Sequence, residues 1–218
     1  MPTLAIIHTT PATVDLLKGL AADVLPGYDV INLVDDSILP QLARNGGNVS
    51  EVEGRLLQYA QIASDTGADV ILEACSSVGE VVAKMSETVS IPVVRIDDAM
   101  AEAAIQRGER IGVAATLPTT LNPTKRLLEA KAQAAGKSIE IQTALADSAY
   151  RKLMAEDRDG HDSDLAEVLL KLAQDVDIVV LAQASMARVI PMLPAELQDK
   201  ILTSPRLGME RVKAVVSQ

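Results

Sequence analysis

Cys75 is the chain's only cysteine, and it stands in Asp69–Glu80, DVILEACSSVGE, where an apolar run (Val70 to Leu72, then Ala74) meets two serines and a glycine. A short apolar run bounded by turn residues reads as a buried strand, and the residues after it read as the opening of a helix. A thiol at such a junction points out of the carboxyl edge of a sheet, where unpaired helix N–H groups favour its thiolate. The competing reading is a small buried apolar residue, the common state of a lone cysteine. One cysteine excludes an intramolecular disulfide and any Cys-x-x-Cys site. With His8 and His161 as the only other soft ligands, far apart in sequence, no metal site is expected.

The elements that would position Cys75 alternate along the chain. Thr3 to Ile7 reads as a strand ending in His8-Thr9-Thr10-Pro11, Val14 to Val24 as an amphipathic helix, and Asp29 to Val34 as a second strand. Leu39 to Asn48, with Arg44, Asn45 and the Gly46-Gly47 pair, reads as a long loop of the kind that carries specificity, with Arg44 at the surface. Helical spacing returns over Val49 to Thr66 and over Val78 to Val89, and Ile91 to Ile96 is another strand. A second specificity loop is expected over Ala146 to Ser163. Its acidic run, Glu156 to Asp164, misses the glycine and terminal glutamate of a calcium loop, so it reads as a solvated segment capping the next helix, with His161 in it.

The pattern then repeats. Leu4–Thr13 (LAIIHTTPAT) matches Ile111–Thr120 (IGVAATLPTT) at an offset of 107, and Asp69–Val78 matches Asp177–Met186 (DIVVLAQASM) at 108. Glu102 and Glu210 also correspond at 108, each inside a candidate helix after a strand. Strands alternating with helices in each half indicate an α/β fold of two similar lobes, each a doubly wound, mostly parallel sheet flanked by helices. The first lobe is placed at residues 1–97, with a C-terminal helix of about 206–218 able to pack back on it, and the second at residues 98–205. Such sheets bind ligands outside their strands' carboxyl ends, so an active cleft between the lobes is expected. The residues expected there are His8, Thr9, Thr10, Cys75, Ser76 and Ser77 from one lobe, with Thr116, Thr119, Thr120, Gln183, Ala184 and Ser185 from the other. Individually these polar residues suit helix N-caps equally well. Together with helix N–H groups they would cradle a carboxylate or another small anion.

Composition narrows the function classes. The 218 residues suffice for one large or two small domains, and hydrophobic residues make up 48%. Three tyrosines, no tryptophan and no phenylalanine leave a core of Val, Ile, Leu, Ala and Met and no aromatic platform for stacking bases. A net charge of −10 argues equally against a nucleic-acid partner. No segment reads as a signal peptide or a membrane span, so the expected setting is the cytoplasm, with no membrane partner. Neither a GxGxxG nor a phosphate-loop sequence is present, so no nucleotide cofactor is expected, and neither a GxSxG setting nor a histidine with an obvious triad partner supports a hydrolase.

The two-halved pattern, with Glu73-Ala74-Cys75-Ser76-Ser77 in one half and Leu181-Ala182-Gln183-Ala184-Ser185-Met186 in the other, resembles the aspartate/glutamate/hydantoin racemase superfamily over essentially the whole chain. The resemblance implies two facing α/β lobes, a homodimer or higher homo-oligomer, and a small carboxylate-bearing substrate. It also implies a cofactor-independent reaction in which one thiolate removes the proton next to a carboxylate and a second thiol protonates the opposite face. Cys75 matches the first cysteine, His8-Thr9-Thr10 the substrate-binding turn after the first strand, and Thr116 to Thr120 the equivalent turn of the second lobe. Gln183 stands where the second cysteine belongs, and a neutral amide does not exchange protons at neutral pH. The expected function is therefore a racemase-like isomerase with Cys75 as single thiol base or nucleophile. In it Gln183 either donates to the developing oxyanion or satisfies turn backbone. The alternatives are a decarboxylating lyase protonating one face from Cys75, and a small-carboxylate-binding protein of the same fold.

Overall fold

The structure, a computed structural model, describes residues 1–217. The chain opens with β1 (Thr3–His8), α1 (Val14–Val24), β2 (Asp29–Val34), α2 (Ile38–Arg44), α3 (Ser50–Asp65), β3 (Val70–Glu73), α4 (Val82–Thr88) and β4 (Val93–Arg95). It continues through α5 (Asp98–Arg107), β5 (Arg110–Ala115), α6 (Pro118–Ala134), β6 (Glu140–Leu145), α7 (Asp147–Met154), α8 (Arg158–Leu172) and β7 (Ile178–Leu181). It closes with α9 (Ala195–Gln198), β8 (Ile201–Thr203) and α10 (Ser204–Val216). The strands form two four-stranded sheets, ordered β2-β1-β3-β4 and β6-β5-β7-β8, with every pairing parallel. The offsets read from the sequence are structural: β1 and β5 begin 107 residues apart, and β3 and β7, like β4 and β8, begin 108 apart. The expected α/β class and its two like sheets are borne out.

Strand alternation explains the covering helices. In the first sheet Ala5, Ile7 and Ile71 share a core with Ile38 and Leu42 of α2, Val52 and Leu56 of α3 and Met85 of α4. Leu4, Ile6, Val70 and Leu72, on the other face, pack with Leu17 and Ala21 of α1 and with Met209 and Val212 of α10. In the second sheet Ala114, Val179 and Leu181 pack with Leu165 and Leu169 of α8. No helix among the described residues is long and apolar enough to cross a membrane.

By packing, the chain divides into one unit formed by Met1–Asp98 and the segment from Pro205, and a second formed by Ala99–Ser204. The helix that follows each half's last strand therefore belongs to the other half's unit. Within the second unit α5 is held by Lys131 Nζ on Glu102 Oε1 (2.9 Å), by Lys137 Nζ on the Ile105 carbonyl (2.8 Å) and by Arg107 Nη2 on the Asp199 carbonyl (2.7 Å). Within the first unit α10 lies against the end of β4 so closely that a Cβ on Gly208 would stand 2.5 Å from the Ile96 carbonyl oxygen.

Both expected specificity loops are largely helical. Ile38 and Leu42, one turn apart, are buried in the first core and draw the Leu39 region into α2, while Pro40 sits in its first turn where its missing N–H costs nothing. The true turn is Asn45 to Asn48, in which Asn45 Oδ1 accepts the N–H groups of Gly47 and Asn48. Ala146 to Ser163 is occupied by α7 and the start of α8, which Asp157 caps by accepting the Gly160 N–H at 2.9 Å. The expected helix over Val78 to Val89 begins as a 3-10 turn, Gly79–Val81, ahead of α4.

Gly208→Ala should destabilise the protein by about 1–3 kcal/mol, because a methyl group cannot be fitted against backbone without moving α10. A lower urea midpoint with unchanged slope would report it. Gly19→Ala, on α1 with nothing within 4 Å of the added Cβ, is the comparison and should be neutral to stabilising by up to about 1 kcal/mol.

Candidate active site

At the carboxyl edge of the first sheet, Ile7 of β1 and Arg95 of β4 lie on either side of Glu73 of β3. The ladder runs one residue further through Ala74 N–H to the Ile7 carbonyl and Ile96 N–H to the Glu73 carbonyl, both 3.0 Å. With a period of two, the face that carries Ile7, Glu73 and Arg95 passes next to Thr9, Cys75 and Asp97. Thr9, Ser76 and Ser77 are buried, and Thr10 and Cys75 are partly exposed. Cys75 packs against the first core.

The expected thiolate is not the resting form. After β3 the chain turns, with Val78 N–H on the Cys75 carbonyl (3.1 Å), and α4 starts only at Val82, beyond the Gly79–Val81 turn, so this helix does not open at the cysteine. Burial pushes the Cys75 thiol up to about 11 and the charge of Glu73 adds to that, while the Thr9 hydroxyl and the N–H and hydroxyl of Ser77 pull it down.

Glu73 carries no functional expectation from the sequence, yet it dominates this edge. It is fully buried, Oε1 accepts the Cys75 N–H at 2.8 Å, and Oε2 has no hydrogen-bond partner. Burial raises its carboxyl to about 8, repulsion from Asp97 adds, and Arg95 and the Cys75 N–H oppose. Asp97, also fully buried, is gripped by Arg95 through Nε to Oδ1 (2.5 Å) and Nη2 to Oδ2 (3.1 Å). Gly79 makes room for this fork, since a Cβ there would overlap the guanidinium. Thr9 Oγ1 is the second buried polar atom that forms no well-made hydrogen bond, although it lies near enough to the thiol to act on it. The readable signal for Glu73 is a charged residue inside the apolar run of a central strand.

His8 is braced inside the lobe. Its Nε2 lies 2.9 Å from Asn32 Oδ1, which only accepts, so the hydrogen is assigned to Nε2 and Nδ1 accepts from Thr13 Oγ1 at 2.8 Å. Burial lowers its pKa against the Asn32 bond, keeping the ring neutral, and both nitrogens are used between β1, β2 and the turn. Thr10 caps that turn by accepting the Ala12 N–H at 3.3 Å. At the end of β2, Asp35 collects Arg55 Nη1 and the Tyr59 hydroxyl, each at 2.8 Å, a polar cluster with no forewarning in the local sequence.

In the second unit Gln183 and Thr116 end neighbouring strands and close on each other. Gln183 Oε1 accepts the Thr116 N–H at 2.7 Å and Gln183 Nε2 donates to Thr116 Oγ1 at 2.8 Å. One of the two amide hydrogens is used in this latch. Thr120 is buried, Thr119 and Ala184 are partly exposed, and Ser185 is exposed on the 3-10 helix that starts after Gln183. His161 is not in a solvated loop as expected: it lies in the first turn of α8, buried, with Nδ1 2.8 Å from Asp162 Oδ1, while Arg188 Nη2 holds Asp162 Oδ2 at 2.8 Å.

A model of the Asp/Glu/hydantoin racemase family matches residues 5–212. No curated protein sequence matches the chain. Among solved structures, a glutamate racemase from Bacillus anthracis superposes with a TM-score of 0.77 at 17% identity, covering 99% of this chain and 82% of that one. An allantoin racemase from Klebsiella pneumoniae gives 0.68 at 17% identity, covering 100% and 88%. A cysteine-bearing mutant of arylmalonate decarboxylase gives 0.63 at 14% identity, covering 99% and 94%. At these identities the likeness shows the shared fold.

Stability should fall as pH rises from about 4.5 to about 8, because folded Glu73 keeps a proton that the unfolded chain has released. Glu73→Gln keeps the acceptor for the Cys75 N–H and removes this penalty. Its stability advantage over the wild type should be near zero at pH 4 and reach on the order of a few kcal/mol by pH 9, measured by urea unfolding.

Proposed function

We propose that this chain, which belongs to the Asp/Glu/hydantoin racemase family, is a cofactor-independent isomerase acting on a small carboxylate substrate at the carbon next to the carboxylate, with Cys75 as its single thiol. The observation that supports this reading is the setting of Cys75. The thiol is partly exposed at a strand end, with Glu73 Oε2 beside it without a hydrogen-bond partner and the Thr9 hydroxyl without a well-made one other than its approach to the thiol. Buried polar atoms are as a rule satisfied, so such orphans mark a place built for something other than packing.

The chemistry rests on those groups. The Cys75 sulfur, as thiolate, takes the proton from the α-carbon; the S–H bond forms, the C–H bond breaks, and the electron pair moves into the carboxylate as an enolate. Return of a proton to the same carbon completes the turnover. Donors must meet the charge that develops on the carboxylate oxygens. We assign that role to Thr9, Thr10, Ser76 and Ser77 of the first lobe and to Thr116, Thr119, Thr120, Ala184 and Ser185 of the second, with His8 holding the first turn in place. Gln183, with one amide hydrogen beyond its bond to Thr116, is the candidate oxyanion donor. A second reading, a lyase that protonates one face after loss of carbon dioxide, is supported by the raised thiol, which rests as a proton donor.

Candidate 2-substituted dicarboxylates and amino acids incubated in deuterated water should exchange the α-hydrogen, and Cys75→Ser should reduce exchange by at least about a hundredfold, the scale of losing an acid–base group. Exchange that survives in Cys75→Ser would sink the isomerase reading; carbon dioxide release would support the lyase, and binding without either would leave the carboxylate-binding protein.

Gln183→Cys tests the second lobe. It should raise the rate of inversion relative to exchange with retention, and unchanged stereochemistry in a folded variant would remove Gln183 from the site.

A further inference from the structure

We infer that Glu73 is the positioning residue that governs Cys75: at neutral pH the two side chains hold at most one negative charge between them, and the thiolate forms far more readily while the Glu73 carboxyl keeps its proton. The inference rests on the reading of Cys75 as the site's thiol, but its test reads the thiol itself and does not depend on turnover.

Three features of the geometry carry it. Glu73 and Cys75 emerge two residues apart on one face of β3, and the Glu73 Oε1 bond to the Cys75 N–H at 2.8 Å ties the carboxyl to the backbone that aims the thiol. Because Oε1 accepts that N–H, the proton of the neutral acid resides on Oε2, the buried oxygen that no other group satisfies. The cation that acts on Glu73 is already committed to another carboxylate. From β4 the guanidinium of Arg95 faces the pair, but both arms of its fork are engaged by Asp97, which is itself an anion. From β1 comes the Thr9 hydroxyl, and from the turn after β3 the Ser77 N–H and hydroxyl. The core that α2, α3 and α4 build on this face is apolar, with Ile38, Leu42, Val52, Leu56 and Met85. Each anion of the pair therefore raises the cost of the other, as the upward shift of both groups also indicates.

The linkage changes how the site titrates. A pair of this kind loses its protons in two macroscopic steps that belong to neither residue alone. For Cys75 the consequence is a thiol kept protonated at rest and released as thiolate by a neutral neighbour, in place of one activated by a helix terminus.

The test is the rate of Cys75 alkylation by iodoacetamide as a function of pH, in the wild type and in Glu73→Gln. The wild-type profile should rise in two steps, near 8 and near 11. Glu73→Gln should give a single step displaced downward by about one unit or more, so that alkylation near pH 8 is about tenfold faster. A carboxyl that only supports the fold would leave the profile unmoved, and coincident profiles overturn the inference. Should Glu73→Gln fail to fold, carbon-13 carboxyl resonances of glutamate in the wild type and in Cys75→Ser decide the matter. The Glu73 signal should respond in both steps in the wild type and only in the lower one in Cys75→Ser, and a Glu73 signal titrating in the ordinary carboxylate range in either protein overturns the inference.

Discussion

Parallel strands covered on both faces leave polar side chains one exit, the strand ends. β1, β3, β5 and β7 are buried almost throughout, and apart from Thr3 and Arg110 at the starts of β1 and β5 their residues are apolar until the strand ends. Chemistry in this fold is therefore confined to what the carboxyl edges carry. The period of two then decides which residues share a face. Glu73 and Cys75 are neighbours for that reason, as are Arg95 and Asp97 on the adjoining strand. Gly79, leaving room for the guanidinium, and Thr9, on the neighbouring strand's end, complete an edge that is polar and largely buried.

The same frame ends differently in the two halves. In each, a side-chain Oε1 accepts a backbone N–H at the strand ends: Glu73 takes that of Cys75, and Gln183 takes that of Thr116. In the repeat, Gln183 corresponds to Cys75 and Leu181 to Glu73. The second lobe thus uses a neutral amide to hold a different strand-end N–H, that of Thr116, the counterpart of Thr9, and places an apolar residue where the first lobe places an acid. A neutral amide carries no ionisation cost when buried, whereas a buried carboxyl must neutralise itself or find a cation.

Much of this plan is legible in the residues. The starts of β1, β2 and β3, both repeat offsets and the parallel α/β class come from apolar runs punctuated by turn residues, and β2 and α1 occupy the ranges their periodicity indicates, whereas β4 starts at Val93 within the Ile91–Ile96 run. The parts that are not legible have physical causes. Pro40 and the Gly46-Gly47 pair suggest a loop, but burial of Ile38 and Leu42 outweighs the local punctuation. The charged run at Glu156 looks solvated, yet the capping by Asp157 and the Arg188–Asp162 pair fold its second half into α8. Cys75 stands at the expected junction, but the expectation of a thiolate placed the helix after it too early. Burial and Glu73 raise the thiol instead of a helix terminus lowering it. No sequence window shows Asp97 and Arg95 closing over Glu73, since that contact depends on strand order.

The charge count at the first lobe's edge limits what Cys75 can do. With Glu73 protonated, the buried group of Glu73, Arg95 and Asp97 is neutral, the condition under which ionisable side chains are tolerated out of water. Ionising either Glu73 or Cys75 leaves one uncompensated negative charge, and ionising both leaves two. On the proposed reading a carboxylate substrate would bring a further negative charge to this edge, and its arrival would favour the thiol over the thiolate unless hydrogen-bond donors offset the repulsion. The donors within reach of the sulfur are the Thr9 hydroxyl and the N–H and hydroxyl of Ser77. A base role for Cys75 depends on those three groups outweighing the substrate's charge, and an acid role requires nothing beyond the resting state. On the proposed reading, the balance between base and acid roles for Cys75 would therefore turn on Thr9 and Ser77 as well as on Gln183.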